Sequence, residues 1–236
     1  MSGHSKWSKI KRQKESTDAK RGAVFTKLSN LITLTAKEKG GDIETNFSLR
    51  MAIDKAKQAN MPKDNIDKAI KRGTGELAGE QIQELMYEGF GPAKIQVIIR
   101  SLTDNKNRSA ASIRHTLTKY GGSLGAVMWN FEQKGVVIIS DCRLPIEDLE
   151  LELIDAGAQD IIKEEEGVTI YTDVADLQKV KKFLEEKEIK TETADIEYVA
   201  KDIQTVNEAD KEKIEKFIQE LEDNEDVGDY YLNVNI

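Results

Sequence analysis

The first 27 residues combine cations with one aromatic ring in a way that suits a polyanion. Residues 2–27 contain eight Lys and Arg against two acidic residues, whereas the whole chain has a formal net charge of −8. Such cations neutralise phosphates, and an indole such as that of Trp7 can stack on a base for about 1–3 kcal/mol. The segment therefore predicts binding to a nucleic acid. The candidate contact residues are His4, Lys6, Trp7, Lys9, Lys11, Arg12, Lys20, Arg21 and Lys27.

Charge is distributed unevenly along the rest of the chain. Residues 1–75 contain 17 Lys and Arg against 8 Asp and Glu, residues 76–133 contain 6 of each, and residues 134–236 contain 12 against 29. A phosphate backbone would repel the last third, which should therefore face away from any nucleic acid. Two alternatives remain open. The acidic third could serve solubility alone, and the arm could be a solvated tail with Trp7 folded onto the helices.

A second group of polar and basic residues lies where a strand is expected to give way to a helix. Backbone N–H groups at the start of a helix attract anions, and two cations at this position would strengthen the attraction. Ordinary helix capping by Asp104 or Asn105 is the alternative. The residues of this possible second contact are Asn105, Lys106, Asn107, Arg108, Arg114 and His115.

The sequence offers little for catalysis or cofactor binding. Two histidines and the single Cys142 are too few for a metal cluster, and neither histidine lies in a recognisable catalytic constellation. The glycine-rich residues 121–125 lack the Lys-Ser/Thr pair of a phosphate loop, so a helix end and turn is the better interpretation. We expect a non-enzymatic protein without metal, cofactor or small-molecule substrate.

Length and composition indicate a multidomain protein of the cytoplasm. The 236 residues are 39% hydrophobic and 33% charged, and exceed the usual domain size of about 100–150 residues. No run of about 18 apolar residues predicts a membrane span, and no apolar stretch follows the basic N-terminus as in a secretory signal. Glu15 and Asp18 disfavour a transit peptide. One cysteine suits a reducing compartment, so we expect a cytoplasmic location and no membrane partner.

Apolar residues at helical spacing predict three helices near the N-terminus, at residues 18–39, 46–60 and 62–72. Pro62 suits a first helical turn, and glycines at 40–41, 73 and 75 suit helix ends. These helices would form a basic domain over residues 1–78 that extends the positive surface of the arm. The cations expected on its exposed faces are Lys20, Arg21, Lys27, Lys55, Lys57, Lys63, Lys68, Lys71 and Arg72.

Alternation and turn residues predict strands and helices over the remainder of the chain. Residues 84–90, 94–102 and about 125–132 are predicted strands, with a helix at 109–119. In the third strand, Val127, Trp129 and Phe131 should share one face. Strands at 136–140, 160–163, 168–172 and 195–199 follow, with helices at 145–156 and 173–188. A helix at 209–222 and a strand at 227–236 end the chain.

The order of these elements predicts an α+β fold. The βαββαβ order of residues 134–200 is that of a ferredoxin-like unit, while the closing helix and strand lack a partner of their own. We therefore predict a three-helix module followed by two ferredoxin-like domains, the last inserted into the middle one. The predicted domains are 1–78, 79–133 with 201–236, and 134–200. Two sequential small α+β units are the alternative.

Several ungapped motifs resemble the YebC/PmpR family. They run in order from residue 3 to about residue 131: GHSKW, DAKRGAVFTKL, NMPKDNIDKAIKRGTGE, YEGFGP, LTDNKNR and IRHTLTKYGG. The resemblance implies three domains, the third inserted in the second, and a cytoplasmic, non-enzymatic regulator of gene expression whose binding residues are those of the basic arm. One departure is that Leu124 and Gly125 run directly into Val127 after a single alanine. The family's longer loop is thus shortened here, and any function of that loop is in doubt.

Two polymers compete as the expected partner. The family is described both as DNA-binding transcriptional regulators and as ribosome-associated translation factors that relieve stalling, and its eukaryotic relatives as mitochondrial translational activators. No helix-turn-helix with a clear recognition helix is visible, which weakens a reader of promoter DNA. A basic arm with an aromatic ring suits ribosomal RNA at least as well. A protein-interaction scaffold that binds no polyanion is the remaining alternative.

Overall fold

A computed structural model describes Trp7 and residues 18–79, 81–140 and 146–235. Three helices come first: α1 (Asp18–Lys39), α2 (Phe47–Gln58) and α3 (Lys63–Thr74). Their apolar faces meet in one core, in which Ile32, Leu49 and Ala69 are fully buried. Asn46 fixes the turn before α2, because its Oδ1 accepts the Leu49 N–H at 3.0 Å while its Nδ2 donates to carbonyls of the α1 end.

The later elements form two antiparallel sheets with their helices. In chain order they are β1 (Gln83–Phe90), β2 (Gln96–Thr103), α4 (Lys106–Lys119), β3 (Ser123–Leu124), β4 (Phe131–Ile139), α5 (Ile146–Ala156), β5 (Ala158–Glu164), β6 (Gly167–Thr172), α6 (Leu177–Glu186), β7 (Thr193–Ala200), α7 (Glu208–Asp223) and β8 (Val227–Leu232). The predicted α+β class, with an N-terminal helical region and two such sheets, is confirmed.

Both sheets have the same spatial plan. The first runs β3-β1-β2-β8 and the second β5-β6-β4-β7. In each, a helix connects two parallel strands that flank a third, as in a split βαβ unit. The last strand of the chain, β8, pairs with β2 in the first sheet, whereas residues 131–200 supply the whole second sheet. This pairing supports the proposed insertion of one domain into the other.

The segment before β4 differs from the prediction. Residues 125–130 form no continuous strand: a short 3₁₀ turn precedes β4, and β4 itself runs through the predicted boundary at 133/134 to Ile139. The carboxylate of Glu88 accepts the N–H groups of both Val127 and Met128 at 2.7 Å, which removes these amides from any ladder. Val127 is therefore buried, but Trp129 points outward and is 64% exposed, contrary to the predicted shared face.

Smaller differences occur at the element ends. α4 begins at Lys106, three residues before its predicted start, because Asn105 caps it through a bond from the Arg108 N–H to its Oδ1 at 3.1 Å. α6 covers Leu177–Glu186, within the longer helix predicted over 173–188, and β8 ends at Leu232. α1 has the predicted bounds.

Helices cover one face of each sheet. α4 and α7 pack on the first sheet around Ile99, Ile113 and Phe217, and α5 and α6 pack on the second around Val137 and Leu153. The opposite face of the first sheet meets two neighbours. Leu34 of α1 packs on Leu102, and β4 and β7 bring Phe131 and Ala200 against Ile98. On the opposite face of the second sheet, Trp7 packs on Val136 and Ile138.

Charged contacts join the helical unit to the second sheet. Lys55 of α2 pairs with Asp195 of β7 at 2.7 Å, and Asp54 pairs with Lys181 of α6 at 3.0 Å. Burial is the largest influence on Asp195 and raises its pKa, although Lys55 opposes the shift. Arg100 of β2 lines the same junction, whose cavity of about 150 Å³ also contains Asp229. The three units therefore meet at a polar, charged contact.

Candidate nucleic-acid interface

The structure describes three side chains among the nine predicted contact residues of the basic segment: Trp7, Arg21 and Lys27. The side chain of Lys20 lies outside the described part of the chain. So do His4, Lys6, Lys9, Lys11 and Arg12. The role of these six in binding stays a prediction.

Trp7 is buried on the second sheet, which differs from both sequence-based interpretations. Its ring is 9% exposed and packs on Val136, Ile138 and Tyr171, on the face opposite α5 and α6. Its indole N–H donates to a carboxylate oxygen of Glu164 at 2.7 Å. In this conformation the ring is neither free to stack on a base nor folded onto the helices. A large apolar ring gains more from covering this sheet face than from exposure to water.

Gly167 provides the space for the indole. It starts β6 with φ +152°, and an added Cβ would lie 2.7 Å from Cη2 of Trp7 and would overlap the carbonyl oxygen of Ile139. A side chain at this position would therefore displace either the ring or the neighbouring strand. The site is shaped to accept an aromatic side chain from the far end of the sequence.

Lys27 and Arg21 both lie on α1, and Lys27 contacts the acidic end of α7. Nζ of Lys27 donates to the backbone carbonyl of Glu222 at 2.5 Å, at the C-terminal end of α7, where carbonyl dipoles attract cations. Arg21 is exposed. Of these two predicted contact residues, Lys27 thus already braces α1 against another part of the chain.

Other cations of the helical unit face solvent. Lys55 and Arg50 are the exceptions, because Lys55 pairs with Asp195 and the half-buried Arg50 donates to the carbonyl of Glu44. α3 is mixed in charge: Lys63, Asp64 and Asp67 are exposed in its first turns, and the other basic residues follow toward its end. The exposed cations of α2 and α3 are Lys57, Lys63, Lys68, Lys71 and Arg72.

Two of the six residues of the predicted second contact, Asn105 and Arg108, are engaged within the molecule. The guanidinium of Arg108 bonds both oxygens of Asp226, at 2.7 and 3.1 Å, and reaches Asp104 at 2.7 Å. Burial alone would raise the pKa of Asp226, but hydrogen bonds from Arg108 and Thr103 outweigh it and lower that pKa. With Asn105 as the cap, the ordinary capping alternative describes this helix start.

The remaining residues of that group are exposed along α4. These are Lys106, Asn107, Arg114 and His115. Their surroundings are not uniformly basic, because α4 packs beside the acidic α7 and Lys119 pairs with Glu220 at 2.6 Å. One residue of each predicted cluster lies near the other, since Lys27 and Arg108 contact opposite ends of the acidic residues 222–226.

Trp129 is an exposed aromatic residue that the sequence pattern placed on one strand face with Val127 and Phe131. The backbone on both sides of it is firmly held: Glu88 caps the preceding amides, and the buried side chain of Asn130 bonds Gln96 at 2.6 Å and Asp202. Lys201 donates to the carbonyl of Trp129 at 3.4 Å. A rigid backbone thus presents the ring to solvent. Periodicity gave no signal for this, and only the shortened loop hinted at irregular backbone.

Two searches of the described residues concern other kinds of site. Within the described ranges, no three or more His, Cys, Asp or Glu side chains are grouped so that they could hold a metal ion. Among the helices in those ranges, none combines the length and apolarity that a membrane crossing requires.

Known proteins resemble this chain over nearly its whole length. Residues 5–76 match the model of the TACO1/YebC protein N-terminal domain, and residues 82–234 match that of the TACO1/YebC second and third domain. A relative from Pseudothermotoga lettingae is 49% identical over 99% of this chain and 93% of its own length. Another from Halothermothrix orenii is 46% identical over 100% and 96%. Both are called probable transcriptional regulatory proteins.

A solved structure shares the fold. The crystal structure of the conserved hypothetical protein Aq1575 from Aquifex aeolicus matches with a TM-score of 0.83 and 38% sequence identity, over 92% of this chain and 91% of that one. The family models together cover both the helical unit and the two sheets described above. The chain belongs to the TACO1/YebC family.

Proposed function

We propose that this protein is a non-enzymatic, nucleic-acid-binding regulator of gene expression that acts in the cytoplasm. The observation that carries the proposal is a group of exposed cations on α2 and α3, in a chain whose residues 2–27 are also basic but whose net charge is −8. Clustered cations on one domain of an acidic protein are the electrostatic footprint of polyanion binding. The names of the curated relatives support a regulatory role.

Promoter DNA is the partner that those names suggest. A helix that reads the major groove contacts base edges with its N-terminal residues. In α3 these positions carry the exposed Asp64 and Asp67, while Lys71 and Arg72 lie at the other end. Carboxylates at the entering end of a helix would be repelled by the two phosphate backbones. If the partner is DNA, we therefore expect binding through the phosphates with little base readout.

Ribosomal RNA is a second candidate, and Trp129 favours it. Sequence-tolerant stacking of splayed bases on aromatic rings is typical of RNA and single-strand binding. Trp129 is 64% exposed on a braced backbone, with Lys201 at its carbonyl. It would serve as the stacking ring in the conformation in which Trp7 is buried. A translation factor that contacts RNA on the ribosome would use both features.

Charge-neutralising variants test the proposal. Replacing Lys68, Lys71 and Arg72 by Gln should weaken binding to a 20-nucleotide RNA or duplex, measured by fluorescence anisotropy, by at least about tenfold. The matched control removes three exposed cations elsewhere: K179Q/K182Q/K213Q, on α6 and α7. Equal affinity of both triple variants would argue against an interface on α3. Absence of any binding by the wild-type chain would favour the protein-interaction scaffold.

Crosslinking in cells followed by sequencing of the bound nucleic acid chooses between the polymers. Reads dominated by ribosomal RNA without promoter enrichment would support the translation factor. Reads enriched at promoters would support the transcriptional regulator.

A further inference from the structure

We propose that the acidic sheet face of the inserted domain is the docking site of this chain's own basic arm. Nucleic acid must then displace the arm from this face in order to bind the arm. This inference rests on the proposed function. It assigns a role to acidic residues 164–166, which the sequence alone presents as a solvated loop. The occupant of the site is the segment that contains Trp7.

The docking site is built for that segment. Trp7 is buried on Val136, Ile138 and Tyr171, and its only polar ring atom donates to Glu164. The glycine opposite Glu164 in the β5–β6 pairing, Gly167, leaves the space that the indole fills. The indole therefore has apolar contacts, a hydrogen bond and, at Gly167, the space left by a residue without a side chain.

The surroundings of the docking site are acidic. Glu165 and Glu166 form the exposed turn that follows Glu164, and Asp160 pairs in register with Tyr171, which contacts the indole. The inserted domain as a whole, residues 134–200, contains 18 Asp and Glu against 8 Lys and Arg. Carboxylates next to an aromatic binding site attract a segment in which cations accompany the aromatic residue.

The segment that carries Trp7 has that composition. Lys6 is its direct neighbour in the chain, and Lys9 follows two residues later. Consecutive Cα atoms are about 3.8 Å apart, so these cations stay close to any place where the indole binds. A docked Trp7 thus commits the cations next to it to the vicinity of residues 164–166, where phosphates would have to compete with carboxylates.

A second set of contacts between basic and acidic residues lies on another part of the molecule. Lys27 of α1 binds the carbonyl of Glu222, and Arg108 binds Asp226, so residues 222–226 engage one cation from each predicted nucleic-acid contact. Trp7 and Lys27, the two residues of the basic segment with these contacts, therefore both bind acidic parts of the same chain. Lysine and arginine bind phosphate with the same charge-assisted bonds, so exchange with a polyanion requires no new chemistry.

Neutralising the docking site tests the inference. In the full chain, E164Q/E165Q/E166Q should raise the affinity for a 20-nucleotide RNA about fivefold or more, because the arm is released more readily. Gln keeps a side-chain oxygen for the indole, so the fold should be retained. The control, E185Q/E186Q/E188Q, changes net charge equally on the exposed end of α6 and should leave the affinity within twofold.

Fluorescence of Trp7 provides a direct second readout. With W129F as the background, Trp7 is the single tryptophan, and saturating RNA should shift its emission to the red as the ring leaves the sheet. Unchanged emission together with unchanged affinity of E164Q/E165Q/E166Q would overturn the inference while leaving nucleic-acid binding intact. Weaker binding by this variant would show instead that the docked arm is the binding form. If no variant binds RNA or DNA, the proposed function itself fails.

Discussion

The indole N–H of Trp7 lies 2.7 Å from the carboxylate of Glu164, across 157 positions of sequence. This hydrogen bond places Trp7 beside the acidic residues 164–166. The burial of Trp7 should stabilise the contact, and we propose that the charge of residues 164–166 affects nucleic-acid binding. The effect of the burial on stability and the effect of the charge on nucleic-acid binding can be measured separately.

Loss of the Trp7 ring should destabilise the second sheet. Core Trp→Ala changes cost about 3–5 kcal/mol, but release of the arm regains backbone entropy of about 1–2 kcal/mol per residue. We therefore expect W7A to lower the free energy of unfolding by about 1–3 kcal/mol in urea denaturation followed by circular dichroism. W129A removes the same ring from a site that is 64% exposed and should change it by less than about 0.5 kcal/mol. Equal losses would contradict the burial of Trp7.

Gly167→Ala should be more damaging than an ordinary glycine substitution. An added methyl group would meet both the indole of Trp7 and the carbonyl of Ile139, in a backbone conformation of φ +152°. We expect a loss of about 2 kcal/mol or more in the same denaturation assay. Gly121→Ala is the matched control: it also has positive φ, at +77°, but open space around it, so strain of about 1 kcal/mol is expected. A G167A/W7A double variant should recover part of the loss.

Asp226 should make stability depend on acidic pH. Its pKa lies below the ordinary value in the folded state, so its contribution is present above the unfolded pKa of about 4 and is lost as pH falls through the lower folded pKa. D226N should cost about 1–3 kcal/mol at pH 7, because Arg108 and Thr103 lose a charged acceptor. The difference between wild type and D226N should shrink below pH 4. A difference that stays constant from pH 7 to pH 3 would contradict this role.

Trp129 should contribute to binding of single-stranded RNA. If its exposed ring stacks on a base, W129A should weaken the affinity by about 1–3 kcal/mol, whereas W129F should retain most of it. Leu124→Ala removes a neighbouring exposed side chain without a ring and serves as the control. Quenching of Trp129 emission in a W7F background would report the stacking directly. Identical affinities of W129A, W129F and wild type would exclude Trp129 from the interface.

Local sequence signals predicted most of the fold. Apolar spacing with glycines at 40 and 41 located α1, and the βαββαβ order of residues 134–200 matches the second sheet. The irregular residues 125–130 were not predictable in this way. Their conformation depends on the carboxylate of Glu88 in β1. This carboxylate accepts the N–H groups that the predicted strand would have used for pairing with a neighbouring strand.

The site was less predictable than the fold, for a physical reason. Composition located the cations, but their availability depends on tertiary ion pairs such as Lys55 with Asp195 and Arg108 with Asp226. Trp7 is buried and Trp129 is exposed, contrary to expectation, because burial depends on contacts between residues that are far apart in the sequence. Charge counts therefore indicate the class of partner more readily than they identify the residues that contact it.

The salt dependence of nucleic-acid binding by the full chain tests the central claim most directly. If about six cations of the N-terminal segment neutralise phosphates, log K should fall with log salt at a slope of roughly −4 to −5. Deletion of residues 2–14 should make this slope shallower and weaken binding. A flat salt response of the full chain, or affinity unchanged by the deletion, would contradict the claim that this basic segment binds nucleic acid.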